Sequence, residues 1–218
     1  MPIPADTLPF LSELKANNNR EWFNEHKPRY TALQAELIDF IDKLIGTLIS
    51  HAPEFVGIDP KKCLFRIHKD ARFAKGEPYK THIGIHMVGS GHRADFGRAG
   101  FYLHIEPSAS FLAGGAHAPS SDWLKRIREQ LLISGNEFEG ILTDKTFKKY
   151  FTELEGATLT RPPAGFAADS PHLELIKRKA FTVSHPLTDE ELTSAKFLTK
   201  FGKVFSVYQP FMDYLNNA

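Results

Sequence analysis

The chain contains a single cysteine, Cys63, among its 218 residues. One thiol excludes an internal disulfide framework and any metal or redox motif built on paired cysteines. Because unpaired cysteine is among the most buried residue types, we expect Cys63 to pack inside the fold.

Long hydrophobic runs are also missing. No apolar stretch approaches the roughly 18 residues that a membrane-spanning helix requires. The first ten residues, MPIPADTLPF, have neither the basic segment nor the apolar segment of a secretory signal. We therefore expect a cytoplasmic protein with no membrane partner.

A strong net charge is absent, since the chain has 27 Lys and Arg residues and 26 Asp and Glu residues, for a net charge of +1. This excludes a general electrostatic attraction to nucleic acids or membranes. Methionine is scarce, whereas 18 phenylalanines predict a core of aromatic rings. No repeat, low-complexity tract or linker divides the chain, so we predict a single domain over residues 1–218.

Helices are predicted near both ends of the chain. Pro28 suits the first turn of a long helix that ends near Ser50. Thr188 and Glu191 have the spacing of a capping box at the start of a later helix. The long helix carries an apolar stripe of the kind that packs on a core: Leu33, Leu37, Ile41, Leu44, Ile45 and Leu48.

Alternation of apolar and polar residues predicts strands over residues 64–68, 81–88 and 100–106. Shorter strands are predicted over 111–116 and 180–184. The Gly-rich connection from the second strand to the third suits an antiparallel pair. The expected fold class is α+β, with a mostly antiparallel sheet of four to six strands covered by helices from both chain ends.

Titratable residues would share one face of this sheet if the three longer strands are neighbours. Histidine can exchange protons near neutral pH or bind zinc. His82 and His86 would lie roughly 13 Å apart along a regular strand, too far to share one ion without a bulge. We assign no metal ligands and leave open whether His68, His82, His86 and His104 form a site. The full set is Arg66, His68, His82, His86, Tyr102, His104 and Glu106.

Positive charge is concentrated in the predicted strand–loop–strand of residues 64–84. Seven Lys or Arg residues lie between Lys61 and Lys80, against two acidic residues. The planar fork of arginine matches phosphate and carboxylate groups. We therefore predict that Arg66, Arg72 and Lys80 bind a small anionic ligand.

Two further loop residues are candidates for catalysis. Asp70 lies among cations, where a carboxylate orients an arginine or acts as a base. Tyr79 follows Pro78 and is predicted to donate a hydrogen bond. The competing interpretation is a solvated loop in which Asp70 makes an ordinary surface salt bridge. The pattern specifies no reaction or cofactor, and whether the protein is an enzyme stays open.

The stretch from Arg66 to Lys80, R-I-H-K-D-A-R-F-A-K-G-E-P-Y-K, resembles the signature of the family called domain of unknown function 2461. The likeness extends over most of the chain, through F-L-x-x-L-x-x-N-N-x-R-E-W-F from Phe10 and Y-x-H-I-x-P from Tyr102. The resemblance implies no reaction. The loop positions that it implies to be typical of the family are Arg66, Asp70, Arg72, Phe73, Pro78, Tyr79 and Lys80.

Two alternative functions remain. The basic loop would also suit a nucleic-acid-associated module, although the chain has no RNP, zinc-finger or helix-turn-helix pattern. The aromatic last helix, residues 204–215, would suit a protein-interaction module, although core packing is the commoner use of such a face.

A Gly114–Gly115 pair is expected to form a tight turn more readily than a phosphate cradle. The oligomeric state is not determined by the sequence.

Overall fold

The structure is a computed structural model that describes residues 1–70, 72 and 76–218. Ala71 and residues 73–75 lie outside the described residues. These include Phe73, which the family resemblance implies to be typical, and the loop cation Lys75.

Three helices form the N-terminal part of the chain: α1 (Thr7–Ala16), α2 (Arg20–Glu25) and α3 (Lys27–Ile49). The Asn19 side chain caps α2 by accepting a hydrogen bond from the Trp22 backbone N–H. Pro28 lies in the first turn of α3, and the whole predicted apolar stripe is buried. A 3₁₀ turn at Pro53–Phe55 and the short helix α4 (Pro60–Cys63) follow.

In the part of the chain that the structure describes, four strands form one antiparallel sheet, and their order in the sheet is their order along the chain. The strands are β1 (Ile83–Met87), β2 (Gly100–Ile105), β3 (Ser110–Ala116) and β4 (Phe181–Leu187). The predicted α+β class and strand number are confirmed. Spatial order follows chain order, with residues 88–99 connecting β1 to β2 and the short turn of residues 106–109 connecting β2 to β3.

The remaining helices lie after β3. They are α5 (Ser121–Thr143), α6 (Lys145–Tyr150), α7 (Leu173–Ile176), α8 (Asp189–Thr193) and α9 (Phe197–Asn216). The predicted capping box is present at α8, where the Thr188 hydroxyl accepts from the Glu191 N–H and the Glu191 carboxylate accepts from the Thr188 N–H.

The strand predicted over residues 64–68 is wrong. This segment does pair with residues 78–85, but only through isolated bridges. Between the first and second of three backbone hydrogen bonds, both segments advance by two residues, but between the second and third the first segment advances by two and the second by four. Two extra residues, Thr81 and His82, therefore interrupt the ladder as a bulge. The bonds run from Lys69 N to Pro78 O at 2.9 Å, Lys80 N to Ile67 O at 2.7 Å and Phe65 N to Gly84 O at 2.9 Å.

The chain divides into two units, each made of several segments. The first comprises residues 1–93, 102–112 and 186–203, and the second comprises 94–101, 113–185 and 204–218. The prediction of a single domain over residues 1–218 stays a prediction. In the first unit, aromatic rings fill the core as expected, with Phe40 and Phe197 stacked at 6.0 Å between ring centroids.

In the second unit, the aromatic face of α9 is core. Phe205, Tyr208 and Phe211 are fully buried, so this part of the helix offers no exposed aromatic surface to a partner protein. The Tyr208 hydroxyl donates a hydrogen bond to the Gly100 carbonyl at 2.7 Å.

The Gly114–Gly115 pair lies inside β3, which corrects the predicted turn. A Cβ atom at Gly114 would overlap the Tyr208 ring. Gly115 has a φ of +117°, and a Cβ atom there would overlap the Phe181 carbonyl oxygen. The two glycines therefore allow α9 and β4 to approach β3 closely.

Across the described ranges, we find no helix with the length and apolar character needed to cross a membrane.

Replacing Tyr208 with Phe is expected to lower the free energy of unfolding by about 1–2 kcal/mol, because a buried hydrogen bond to the Gly100 carbonyl is lost. Urea unfolding measures this change. Tyr30→Phe is the matched control, since the Tyr30 hydroxyl makes no hydrogen bond within the described residues. Equal losses in the two variants would show that the Gly100 bond is not responsible.

Cys63 is expected to react slowly with thiol reagents in the native protein. Its side chain is buried, and burial raises the pKa of the thiol to about 11, so little thiolate is present at neutral pH. Reaction with Ellman's reagent at pH 8 should be at least about tenfold slower than in guanidinium. Complete reaction at the same rate in both conditions would contradict the burial of this thiol.

Candidate functional site

Two cations of the first unit, Lys80 and Arg93, lie beside the Phe65 ring, and the charge of a third, Arg66, acts on Lys80. The Lys80 Nζ atom lies 5.3 Å from the ring centroid, and the Arg93 Cζ atom lies 5.9 Å from it. Burial, followed by the positive charges of Arg66 and Arg93, lowers the pKa of Lys80. We call Arg66, Lys80 and Arg93 the cation cluster.

The cation cluster makes no close ion pair among the described residues, although Asp70 is near enough for the charge of Arg66 to contribute to its lowered pKa. Within the described part of the chain, none of its three side chains forms an ion pair with a carboxylate. Arg93 instead donates to the Lys62 carbonyl at 3.2 Å. The positive charges of Arg66 and Arg93 disfavour the charged form of Lys80, an effect that a bound anion would counteract.

Asp70 and Arg72 form a bidentate ion pair. Arg72 donates to the two Asp70 carboxylate oxygens from Nε at 3.0 Å and from Nη2 at 2.7 Å, and its backbone N–H donates at 3.0 Å. The Arg72 side-chain hydrogen bond is the main cause of a lowered pKa at Asp70. A carboxylate with a lowered pKa is a weak base, so this geometry favours the orienting role over the basic one.

Tyr79 lies in a buried aromatic stack. Its ring is buried and parallel to Phe23, with 4.0 Å between the centroids, and the His68 ring lies 5.1 Å away. The Asn18 side chain accepts from the Tyr79 N–H at 3.0 Å and donates to the Tyr79 carbonyl at 2.9 Å. These contacts fix the backbone immediately before Lys80.

A second group of polar residues gathers where β1 begins and β2 ends. His82, His104 and Glu106 each offer one ligand atom, and these atoms lie within 4.8 Å of one another. The two imidazoles stack with centroids 4.3 Å apart, and His104 Nε2 lies 3.1 Å from Glu106 Oε2. We call these three residues the His–Glu cluster.

Neighbouring residues fix the orientation of His104. Its Nδ1 atom lies 3.2 Å from the Tyr102 hydroxyl, and its ring stacks on Phe111 at 4.6 Å. Gly84 gives Tyr102 room, since a Cβ atom there would lie only 2.7 Å from the tyrosine hydroxyl. His104 therefore presents Nε2 to Glu106.

Two members of the cluster have shifted pKa values. Burial, with smaller contributions from His104 and Lys80, lowers the pKa of His82 to about 4. Burial alone would raise the pKa of Glu106, but the His104 hydrogen bond, with further contributions from neighbouring groups such as Lys15, outweighs burial and lowers it. At neutral pH His82 is therefore neutral and Glu106 is ionised.

The predicted polar face is only partly assembled. Tyr102, His104 and Glu106 meet His82 as expected, whereas His68 joins the Tyr79 stack. His86 is buried, and its Nδ1 atom contacts the Arg93 carbonyl at 2.8 Å.

Arg93 was missed by sequence reasoning. It lies in the loop between β1 and β2, and no local pattern connects it to Arg66 or Lys80. The only available signal was its position in the Gly-rich connection that returns the chain beside β1.

Comparisons with known proteins identify one family. No curated protein and no solved structure matches the chain. Residues 6–214 match the family described as conserved hypothetical protein, DUF2461. Because this match covers essentially the whole sequence, the chain belongs to the DUF2461 family.

Proposed function

We propose that the protein binds a small anionic ligand, bearing phosphate or carboxylate, on the cation cluster. The supporting observation is that Arg66, Lys80 and Arg93 form no ion pair with a carboxylate within the described residues, although the charges of Arg66 and Arg93 both act on Lys80. An anion would receive charge-assisted hydrogen bonds from all three and relieve their repulsion.

The Phe65 ring supports this role. A cation above an aromatic face gains cation–π attraction while its charge stays uncompensated. Lys80 and Arg93 are therefore held near one ring before any ligand arrives, which lowers the entropy lost on binding. Arg93 joins the predicted ligand-binding residues Arg66 and Lys80 in this proposal.

In this proposal the other predicted residues, Asp70 and Tyr79, position the side chains that meet the ligand. Asp70 holds Arg72, whose side chain is 78% exposed, so that Arg72 can meet a ligand from the solvent side. Tyr79 fixes the backbone before Lys80, and donation of a hydrogen bond by its hydroxyl remains part of the proposal. We propose binding rather than a particular reaction, in a cytoplasmic setting.

Inorganic phosphate is the first probe. Titration calorimetry at low chloride concentration should show one phosphate bound per chain. Lys80→Met removes one charge-assisted hydrogen bond, worth about 1.5–3 kcal/mol, and should weaken phosphate binding at least about tenfold. Arg93→Gln should weaken it similarly. The matched control is Lys61→Met, an exposed lysine outside the cation cluster that undergoes the same change of charge.

A stability measurement separates loss of binding from loss of folding. Without phosphate, Lys80→Met should lower the free energy of unfolding by no more than about 1 kcal/mol, since it removes one cation–π contact and also one repelled charge. The proposal is wrong if phosphate, pyrophosphate and small carboxylates all fail to bind. A single-stranded oligonucleotide that binds with a steep salt dependence, while phosphate does not, would favour the nucleic-acid alternative.

A further inference from the structure

We propose that the His–Glu cluster binds a divalent transition-metal ion, with zinc as the ion that its donors suit best. Two imidazoles and one carboxylate are a known set of protein ligands for zinc with an open fourth position. The inference goes beyond anion binding and does not depend on it, because none of the three ligands belongs to the cation cluster.

The distances suit a shared ion. Metal bonds of about 2.0–2.1 Å at tetrahedral angles place two ligand atoms roughly 3.4 Å apart. His104 Nε2 and Glu106 Oε2 are already 3.1 Å apart. All three ligand atoms lie within 4.8 Å, so His82 needs to approach by no more than about 1.4 Å.

The neighbours of His104 hold its ring in the orientation that a shared metal ion needs, with Nε2 facing Glu106. The Tyr102 hydroxyl, 3.2 Å from Nδ1, can accept from an Nδ1–H once a metal ion takes the place of the Nε2 proton that the Glu106 carboxylate accepts. Glu106 is also held from outside, since Thr81 Oγ1 donates to its Oε1 atom at 3.4 Å. Metal sites characteristically orient their ligands through such outer contacts.

His82 is the residue that an ordinary ion pair leaves unexplained. A simple His104–Glu106 ion pair accounts for two members of the cluster but involves neither ring nitrogen of His82. Within the described residues, neither ring nitrogen of His82 makes a hydrogen bond, although the ring is half-buried and stacked on His104. A metal ion would occupy the lone pair of this imidazole.

The cluster is also accessible. The His104 side chain is 12% exposed and that of Glu106 is 20% exposed, so an ion can enter without unfolding. Three protein ligands leave the remaining position to water or to another small ligand.

Zinc titration of the full chain after treatment with a chelator tests the proposal. We expect one ion per chain and a rise in the melting temperature when zinc is bound. His82→Ala and Glu106→Gln should each weaken zinc binding at least about 100-fold, and Tyr102→Phe about tenfold, as loss of an outer contact typically does. His117→Ala, at an exposed histidine outside the cluster, is the matched control.

Cobalt gives a readout of the ligand set itself. Bound Co²⁺ should show the visible absorption of a four-coordinate site, and Glu106→Gln should change that absorption while leaving the far-UV circular dichroism unchanged. Glu106→Gln preserves side-chain size, so its result stands even if His82→Ala fails to fold.

Two results would overturn the inference. One is the absence of stoichiometric zinc binding to the wild-type chain. The other is equal binding by wild type, Glu106→Gln and His117→Ala, which would place the ion elsewhere on the surface. Failure of phosphate binding leaves both readouts unchanged, so the two proposals can fail separately.

Discussion

The two-residue bulge at Thr81 and His82 is the constraint on which both candidate sites depend. In an uninterrupted strand, Lys80, His82 and Gly84 would project in one row from the same face. The shift of register instead leaves Lys80 paired with Ile67 before the bulge and Gly84 paired with Phe65 after it. Lys80 consequently reaches the Phe65 ring, while His82 stacks on His104. The bulge thus places Lys80 in the cation cluster and His82 in the His–Glu cluster, although a regular strand would have put both side chains in one row.

The bulge is held by contacts from a distant part of the sequence. The Asn18 amide bonds to both backbone polar groups of Tyr79, and Phe23 stacks on the Tyr79 ring. These contacts satisfy backbone groups at the edge of the broken ladder, where unpaired groups would be costly. They also give a physical reason why one family signature contains both the stretch with Asn18 and Phe23 and the stretch Pro78-Tyr79-Lys80.

Local patterns predicted the regular elements well. The stripe of α3, the Thr188 capping box and β2 each depend on residues within a few positions of one another, so periodicity and capping chemistry locate them. The strand over residues 64–68 failed because pairing partners set register, and alternation within one segment contains no information about extra residues in the other. Likewise, the Gly114–Gly115 pair resembles a turn locally, yet contacts from Tyr208 and Phe181 explain it.

The two proposed sites favour the same class of ligand. Zinc bound by two neutral imidazoles and one carboxylate would retain a net charge of +1, and its open position would therefore prefer an anion. Lys80 lies two residues from His82, and its charge already contributes to the lowered pKa of that imidazole. An anion bound by the cation cluster would offset the same positive field that opposes a metal ion at His82. Binding of the anion and binding of the metal should therefore reinforce each other, because each lowers the electrostatic cost of the other.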